Sequence, residues 1–417
     1  MNAPTEKSGF LFRQPILDRR QELAAYQLSF RSHAEPADGD DGLGPSAPLC
    51  AAYSELGMRH ALGNAQAYIG IDRDFLHEAA LELLPPEGVV LELLLEGVPD
   101  KTTLARCQDL RQRGYALALT RYRGIDDRSR LLLPMVEVIK IDLCSLEADE
   151  LRDLASSLRH LPIKLLAQRV SSREQMEHCH RLGFDLFQGR YFAAAEIVSA
   201  RRLSATQAAL IRLVNLVGRD VDTELIEDAF KHEPALTLNL LRVVNAVGHH
   251  GNRFAQPITS LRHAITLIGR RQLQRWLLLL MLAPGNGNSD PTRSPLLQVA
   301  ALRGRMMELL IGVTQTKEHR ALADLAFLTG ILSMMPNALG LPLDEILDQI
   351  TVERVVRSAL CRHEGVLGKV LALLESFDGD DAAGCDRLLA ELPVRVSRQQ
   401  LNRCLSDALR WLNSTSD

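Results

Sequence analysis

The hydrophobic pattern of the first half of the chain is typical of alternating strands and helices. Up to about residue 200, short apolar runs are separated by amphipathic stretches, and several runs are continuously apolar, as strands buried on both faces are. Strands that alternate with helices form a parallel sheet, and this many repeats favours a closed barrel. We therefore predict a (β/α) barrel whose strands cover residues 10–16, 26–30, 67–71, 89–95, 116–120, 138–142, 164–167 and 185–188.

The second half has the pattern of an all-α domain. From about Ser204, apolar residues recur at positions i, i+3, i+4 and i+7, for example in SATQAALIRLVNLVG and VLGKVLALLESF. Because domains usually contain about 100–200 residues, a chain of 417 residues is expected to form two. We place the α/β domain in residues 1–203 and the all-α domain in residues 204–417. The join, residues 193–210, lacks the composition of a flexible linker, so the two halves are expected to pack on each other.

Composition and charge exclude several kinds of function. A net charge of -4 gives no general attraction to nucleic acid or to anionic membranes. The seven cysteines include no CxxC pair, so neither a zinc ribbon nor a disulfide framework is indicated. No apolar run approaches the roughly 20 residues that span a bilayer, and MNAPTEKSGF lacks the apolar region of a secretory signal. We therefore expect a cytoplasmic protein that binds neither nucleic acid nor membrane.

Two features of the helical half are candidates for contacts with other proteins. GRRQLQRW carries Arg271 and Arg275 on one helix face, which we interpret as a solvated basic face. Trp276 begins a strongly apolar run and is expected in the core. His249 and His250 stand in GHHGNRF, which we interpret as a glycine-flanked loop.

Several segments resemble a known family of bacterial signalling proteins. FRQPILDRRQELAAYQLSFR and GFDLFQGRYFAAAEI resemble the opening and the ending of an EAL domain, the barrel that hydrolyses cyclic di-GMP. IKID resembles that barrel's strand with a lysine and an aspartate. EPALTLNLLRVVNAVG, ITSLRHAITLIG and LAFLTGILSMM resemble an HDOD domain, and the order of the segments is that of the EAL-HDOD family. The resemblance implies a (β/α)8-type EAL barrel followed by an all-helical, HD-related domain.

The resemblance also implies which residues of an active barrel would hold metals, and most of them are replaced. An active EAL barrel uses two divalent cations, which need carboxylate ligands at the carboxyl ends of several strands. The glutamate of the signature motif is Gln27 here, and an amide carries no negative charge. Glu92, Lys140 and Asp142 persist. The other replaced positions are Gly70, Thr120, Arg121, Gln168 and Ser171. The barrel is therefore expected to be degenerate and to hold no metal.

The helical half shows a parallel loss of ligands. Active HD domains bind metals through histidines and an adjacent His-Asp pair, and the resemblance places Ser333 and Met334 at the positions of that pair. Neither side chain is a competent ligand for a hard dinuclear site. We therefore predict no catalytic residue, metal or cofactor in either domain.

Two residues favour a barrel that still binds nucleotide although it has lost catalysis. Arg31 matches the family's phosphate-contacting arginine, and Gln188 matches a position near the nucleotide pocket. The alternative interpretation of Arg31 is a strand-end arginine that pairs with a local carboxylate. The acidic loop of residues 32–48 argues against a dianionic ligand beside Arg31. Binding of cyclic di-GMP is therefore the second hypothesis and not the first.

These observations favour a non-catalytic function. We predict a cytoplasmic adaptor that contacts other signalling proteins, in a pathway that the resemblance alone connects with cyclic di-GMP. The helical half is expected to carry the main partner surface. The alternatives are a cyclic di-GMP receptor that binds without hydrolysis and, in third place, an active phosphodiesterase. The identity of the partners and the state of homo-oligomerisation stay open.

Overall fold

The first half of the chain forms a closed barrel whose eight strands neighbour one another in chain order. The computed structural model describes residues 9–31, 46–95, 97–124, 126–193, 203–219, 221–250, 258, 260–282, 294–313, 317–393 and 395–414. The strands are β1 (Phe10–Asp18), β2 (Leu23–Arg31), β3 (Gln66–Asp72), β4 (Val89–Leu94), β5 (Ala116–Leu119), β6 (Val138–Asp142), β7 (Lys164–Val170) and β8 (Leu186–Gly189). Each run that the sequence predicts as a strand is confirmed, with bounds that shift by a few residues.

The first strand departs from the parallel sheet that the sequence predicts. β1 runs antiparallel to both β2 and β8, whereas the neighbouring strands from β2 to β8 are parallel. Only residues 19–22 separate β1 from β2, and a parallel pair needs a crossover of about a dozen residues or more. Asp18 closes the turn, because its Oδ1 accepts hydrogen bonds from the backbone N–H groups of Arg20 and Glu22. The prediction of an all-parallel sheet is therefore wrong at β1, where the loop is too short for a crossover.

Helices connect the parallel strands around the outside of the barrel. They are α1 (Ser46–Glu55), α2 (Met58–Ala61), α3 (Arg73–Leu76), α4 (Lys101–Gln112), α5 (Asp127–Leu132), α6 (Ala148–Leu158) and α7 (Arg173–Leu182). Local side chains fix where several of them start: Asp100 accepts the Thr103 N–H at the start of α4, and Ser172 accepts the Gln175 N–H at the start of α7.

The barrel interior is apolar at one end and polar above it. Side chains two residues apart on a strand share a face. The apolar end is a separate buried cluster made of Ile16, Ala25, Tyr68, Val90, Ala118, Val138, Leu166 and Leu186. One step nearer the carboxyl ends of β2–β8, the residues on the same face are Gln14, Gln27, Gly70, Glu92, Thr120, Lys140, Gln168 and Gln188. This polar layer contains most of the positions at which the sequence was compared with an active barrel.

The second half is all-helical, as the sequence predicts. Its helices are α8 (Ala205–Gly218), α9 (Thr223–Lys231), α10 (Pro234–His250), α11 (Leu261–Leu282), α12 (Pro295–Val313), α13 (Lys317–Leu332), α14 (Met335–Leu339), α15 (Leu343–Gln349), α16 (Arg354–Arg362), α17 (Gly365–Asp378), α18 (Ala382–Glu391) and α19 (Arg398–Ser414). Helix α11 is kinked at Gly269, whose φ of 74° is not helical. The proposed boundary at residue 203 stays a prediction, because residues 194–202 lie outside the described part of the chain.

Three interpretations of the helical half are wrong in detail. Arg275 is not on a solvated basic face: its side chain is 14% exposed, pairs with Glu308 and Asp324, and lies over the ring of Phe327. Trp276 is only half-buried. His249 and His250 end helix α10 rather than standing in a loop, because the helix continues through the glycine before them.

One segment of the described chain, Leu322–Leu339, is long and apolar enough to cross a membrane by length and composition alone. Half of it is buried inside the helical half. A buried core helix of this composition meets the same criterion, so the segment carries little weight as a membrane span.

The two halves pack closely on each other. The ring of Phe12 in β1 lies 5.1 Å from that of Phe377 in α17. Along the outer edge of β1, the Asn402 side chain of α19 accepts the Leu11 N–H at 2.9 Å and donates to the Gly9 carbonyl at 2.9 Å. Asn402 thus satisfies backbone groups at the part of β1 that β8 does not reach, as a strand partner would.

We expect Asn402→Ala to lower the free energy of unfolding by about 1–3 kcal/mol, because it leaves a buried N–H and a buried carbonyl of β1 without partners. Chemical denaturation of the full chain measures the loss. Gln399→Ala is the control, since Gln399 lies on the same helix and is exposed. Equal stability of the two variants would show that the contact between α19 and β1 adds nothing to the fold.

Candidate functional site

A buried lysine occupies the centre of the polar layer. Lys140 Nζ lies 2.6 Å from Glu92 Oε1 and 2.6 Å from Gln27 Oε1. Lys140 is 1% exposed and Glu92 is fully buried, so the ion pair is shielded from water. The Gln27 amide nitrogen donates in turn to the Tyr68 carbonyl at 3.2 Å. Three of the residues singled out in the sequence therefore meet, and an ammonium group stands between the carboxylate and the amide.

A second carboxylate of the barrel is also paired with a cation. Asp142, at the end of β6, receives a hydrogen bond from Arg169 Nε at 2.7 Å and forms an ion pair with the same guanidinium. Arg169 has a φ of 62°, beside the irregular pairing of β7 with β8. The sequence analysis did not identify Arg169, which lies between the replaced residues Gln168 and Ser171. Its position between them in AQRVSS was the available signal.

The remaining positions have separate local roles. Thr120 is buried at the end of β5, and Arg121 follows it with a φ of 55°. Ser171 is exposed and does not enter the polar layer, because its N–H and hydroxyl both donate to Gln175 Oε1 at the start of α7. Gly70 lies opposite Glu92 in the register of β3 and β4.

Gln188 contacts the barrel interior and not the surface. Its amide nitrogen donates to Gln14 Oε1 at 2.5 Å. Within the described residues, the Gln188 amide oxygen and Glu92 Oε2 are buried without a hydrogen-bond partner. The glycine that follows Gln188 has a structural reason, since a Cβ at Gly189 would overlap the backbone of Val170.

Arg31, at the end of β2, contacts the helical half. Its Nη1 donates to the backbone carbonyl of Asp380, 3.1 Å away in the turn between α17 and α18. Its guanidinium also lies 5.9 Å from the centre of the Phe12 ring. The helical half thus supplies one partner of Arg31. Pairing of Arg31 with a local carboxylate stays a prediction. The acidic loop expected to follow Arg31 falls largely on residues 32–45, outside the described residues.

Ser333 and Met334, which the resemblance places at the positions of an HD pair, lie near the end of α13. Met334 is buried, and the Ser333 hydroxyl donates to the Gly330 carbonyl at 2.7 Å. Ser333 also accepts a hydrogen bond from Arg303 Nη1 at 2.9 Å. Arg303 in turn pairs with Asp378 at 2.7 Å. A largely buried guanidinium thus stands beside the position where the resemblance would place a metal ligand.

The donor set does not fit a pair of divalent cations. Among the described residues, no group of three or more His, Cys, Asp or Glu side chains is arranged to hold a metal ion. The two carboxylates that persist from the active pattern, Glu92 and Asp142, are each neutralised by a cationic side chain. A metal held by these carboxylates would have to displace both cations, and the repulsion between like charges is strongest at the buried Lys140.

Comparison with known proteins assigns both halves. The EAL domain family matches residues 70–195, and the HDOD domain family matches residues 203–338. Cyclic di-GMP phosphodiesterase CdgJ of Vibrio cholerae is 27% identical over 96% of this chain and 92% of its own length. Uncharacterized protein YuxH of Bacillus subtilis is 23% identical over 98% of this chain and 99% of its own length.

Solved structures of EAL proteins are also similar to the first half. A standalone EAL protein from Vibrio cholerae O395, in its form with cyclic di-GMP bound, is 18% identical to this chain with a TM-score of 0.37. The similarity covers 45% of this chain and 92% of that one.

Proposed function

The chain belongs to the EAL-HDOD proteins, with an EAL domain ahead of an HDOD domain, and from this premise we propose that it is a non-catalytic signalling adaptor. It acts through contacts with other proteins in the cytoplasm, in a pathway connected with cyclic di-GMP. The proposal treats the barrel as a regulatory and structural module and the helical half as the main partner surface.

The ion pair between Lys140 and Glu92 is the observation that carries the proposal. Metal-assisted hydrolysis of a phosphodiester needs an anionic donor set that holds divalent cations and activates water. Here the carboxylate that could contribute most is fully buried against an ammonium group at 2.6 Å. The amide of Gln27, where an active barrel carries a glutamate, accepts from the same ammonium. An internal salt bridge thus takes the place in which metal ligands would have to converge.

Two other functions have specific support. The name of CdgJ, a relative that aligns along nearly its whole length, favours phosphodiesterase activity. The arginines Arg31 and Arg190 near the carboxyl ends of β2 and β8 favour a receptor that binds cyclic di-GMP without hydrolysing it. Both alternatives predict nucleotide affinity, and only the first predicts turnover, so one pair of measurements separates the three functions.

We expect the purified full chain to form no linear dinucleotide from cyclic di-GMP with Mg²⁺ or Mn²⁺, because its carboxylates are paired with cations. Chromatographic detection of the product measures turnover, and CdgJ serves as the positive control. Gln27→Glu alone is expected to remain inactive, since it adds one carboxylate next to Lys140 and leaves the other positions replaced. Product that forms with Mn²⁺ and disappears in Glu92→Ala would overturn the proposal.

The partner surface is best tested with the full chain, because α19 is part of the barrel's packing. Three leucines of the helical half are well exposed: Leu225 at 55%, Leu238 at 50% and Leu267 at 41%. We expect their joint replacement by serine to reduce the proteins captured from a cell extract. The matched control replaces three exposed apolar residues of the barrel, Leu83, Val98 and Leu131. Loss of partners in the control alone would place the partner surface on the barrel.

A further inference from the structure

One turn of the helical half reaches the carboxyl end of the barrel. Residues 377–381, which we call the interdomain turn, join α17 to α18. The Phe377 ring packs on the Phe12 ring, and the Asp380 carbonyl accepts a hydrogen bond from Arg31. A Cβ on Gly379 would stand 3.7 Å from Arg190 Nη1, so the turn also lies against the residue that follows β8. In barrels of this type, ligands bind at the carboxyl ends of the strands.

The charges of the turn and the barrel are complementary. Arg31, Arg190 and Arg13 of the barrel act to lower the pKa of Asp380, whereas Asp378 of the same turn acts to raise it. The three cations belong to β1, β2 and the end of β8, so they come from neighbouring parts of the barrel rim. The acidic interdomain turn therefore lies beside guanidinium groups that could otherwise bind an anionic ligand.

The turn is rigid, but its docking is not optimised. The Asp381 N–H donates to the Ser376 carbonyl at 3.1 Å, which keeps the turn's shape independent of the barrel. Asp380 has a φ of 57°, a conformation that costs energy in a residue other than glycine. Burial raises the pKa of Asp380 to about 6, despite the opposing effect of the arginines, so the docked position stabilises the carboxylate less than water does. Release would return the Asp380 carboxylate to water, which lowers the cost of undocking the turn.

We propose that the interdomain turn competes with an anionic ligand for Arg31 at the carboxyl end of the barrel, so that binding of such a ligand releases the turn. This inference rests on the proposed function, because it supplies the regulation of a non-catalytic barrel. A phosphodiester offers the negative charge that guanidinium groups bind with paired hydrogen bonds. Arg31 Nη1 already donates to the Asp380 carbonyl, so a ligand that takes this N–H must displace the turn.

Release of the turn has a direct route into the helical half. Asp378 belongs to the turn and pairs with Arg303 at 2.7 Å, and Arg303 donates to the Ser333 hydroxyl at 2.9 Å. Displacement of the turn would strain or break this ion pair in the helical core. The surroundings of Ser333 would then change when a ligand binds at the barrel. The adaptor would have two states, with the turn docked or released, that its partners could distinguish.

Hydrogen exchange of the full chain tests the competition. Two probes are used: cyclic di-GMP, and inorganic tripolyphosphate as an anion without a nucleoside. We expect at least one probe to increase exchange in residues 375–385. Arg31→Ala is expected to show the same increase without a probe and to bind neither. If only cyclic di-GMP increases exchange, the site recognises the nucleotide. Equal increases with both probes would instead define a general anion site that the turn occupies.

A charge-matched pair of variants measures the competition itself. Asp380→Arg opposes the barrel arginines and should undock the turn, while Glu391→Arg makes the same charge change at an exposed position of α18. If the interdomain turn is docked about 90% of the time, its removal should make the probe bind about tenfold more tightly to Asp380→Arg than to Glu391→Arg. Equal affinities, binding to the unmodified chain without increased exchange, or no binding in any variant would overturn the inference. Product formation in the same samples would instead overturn the non-catalytic function.

Discussion

Lys140→Met should lower the free energy of unfolding by about 3–5 kcal/mol, because it leaves the Glu92 carboxylate buried and without its cation. Glu92 is fully buried, and Lys140 Nζ lies 2.6 Å from its Oε1. Methionine fills a similar volume, so the loss of charge and hydrogen bonding dominates the effect. The Gln27 amide oxygen loses its donor in the same variant. The midpoint of chemical denaturation of the full chain measures the change.

The double variant Glu92→Gln/Lys140→Met decides whether an unpaired charge is the cause. Removal of both charges should recover more than half of the loss, since a buried ion pair can be replaced by neutral residues at little cost. Lys164→Met is the control, because Lys164 begins β7 and is exposed. Its effect should stay within about 0.5 kcal/mol. A Lys140→Met variant as stable as Lys164→Met would mean that Glu92 takes up a proton or finds another partner at no cost.

The sequence predicted the barrel well because its signals are local. Strands such as β4 and β6 are buried on both faces and form short apolar runs that need no knowledge of their neighbours. The direction of β1 was predicted wrongly, because the structure leaves only residues 19–22 between β1 and β2, which is too little chain for a crossover. Sequence comparison also identified Gln27, Glu92 and Lys140, although it gave no indication that Lys140 bridges the other two. That contact depends on side chains 48 and 113 positions apart in the chain.

The missed features all depend on contacts between distant segments. Asn402 resembles an ordinary polar residue of an amphipathic helix, yet it binds the edge of β1 some 391 residues away. The partner of Arg31 in the helical half lies 349 residues along the chain and is a backbone carbonyl, which no residue type can indicate. Arg275 appeared to lie on a basic surface because helical spacing places charges on a face without showing which element packs on it. Composition and periodicity therefore predicted the elements but not the contacts between the halves.

Gly330→Ala should destabilise the helical half by about 3 kcal/mol, because helices α12 and α13 cross there with their backbones in contact. A Cβ on Gly330 would stand 2.6 Å from the Cα and 2.7 Å from the nitrogen of Gly304. No side chain can move aside to relieve this overlap, so the helices must separate and lose packing along their length. The higher helix propensity of alanine, about 1 kcal/mol, offsets only part of the cost. A glycine within a helix is the sequence signal for such a close approach.

Gly312→Ala provides the matched control, because it makes the same chemical change near the end of α12. A Cβ there would meet nothing within 4 Å, and the residue is exposed. The two substitutions should therefore shift the thermal midpoint in opposite directions, with Gly312→Ala gaining up to about 1 kcal/mol from helix propensity alone. The aromatic circular dichroism of Trp411, whose ring lies 5.9 Å from that of Phe327 in α13, should change only in Gly330→Ala. A stabilised Gly330→Ala chain with an unchanged Trp411 signal would show that α12 and α13 do not meet at their glycines.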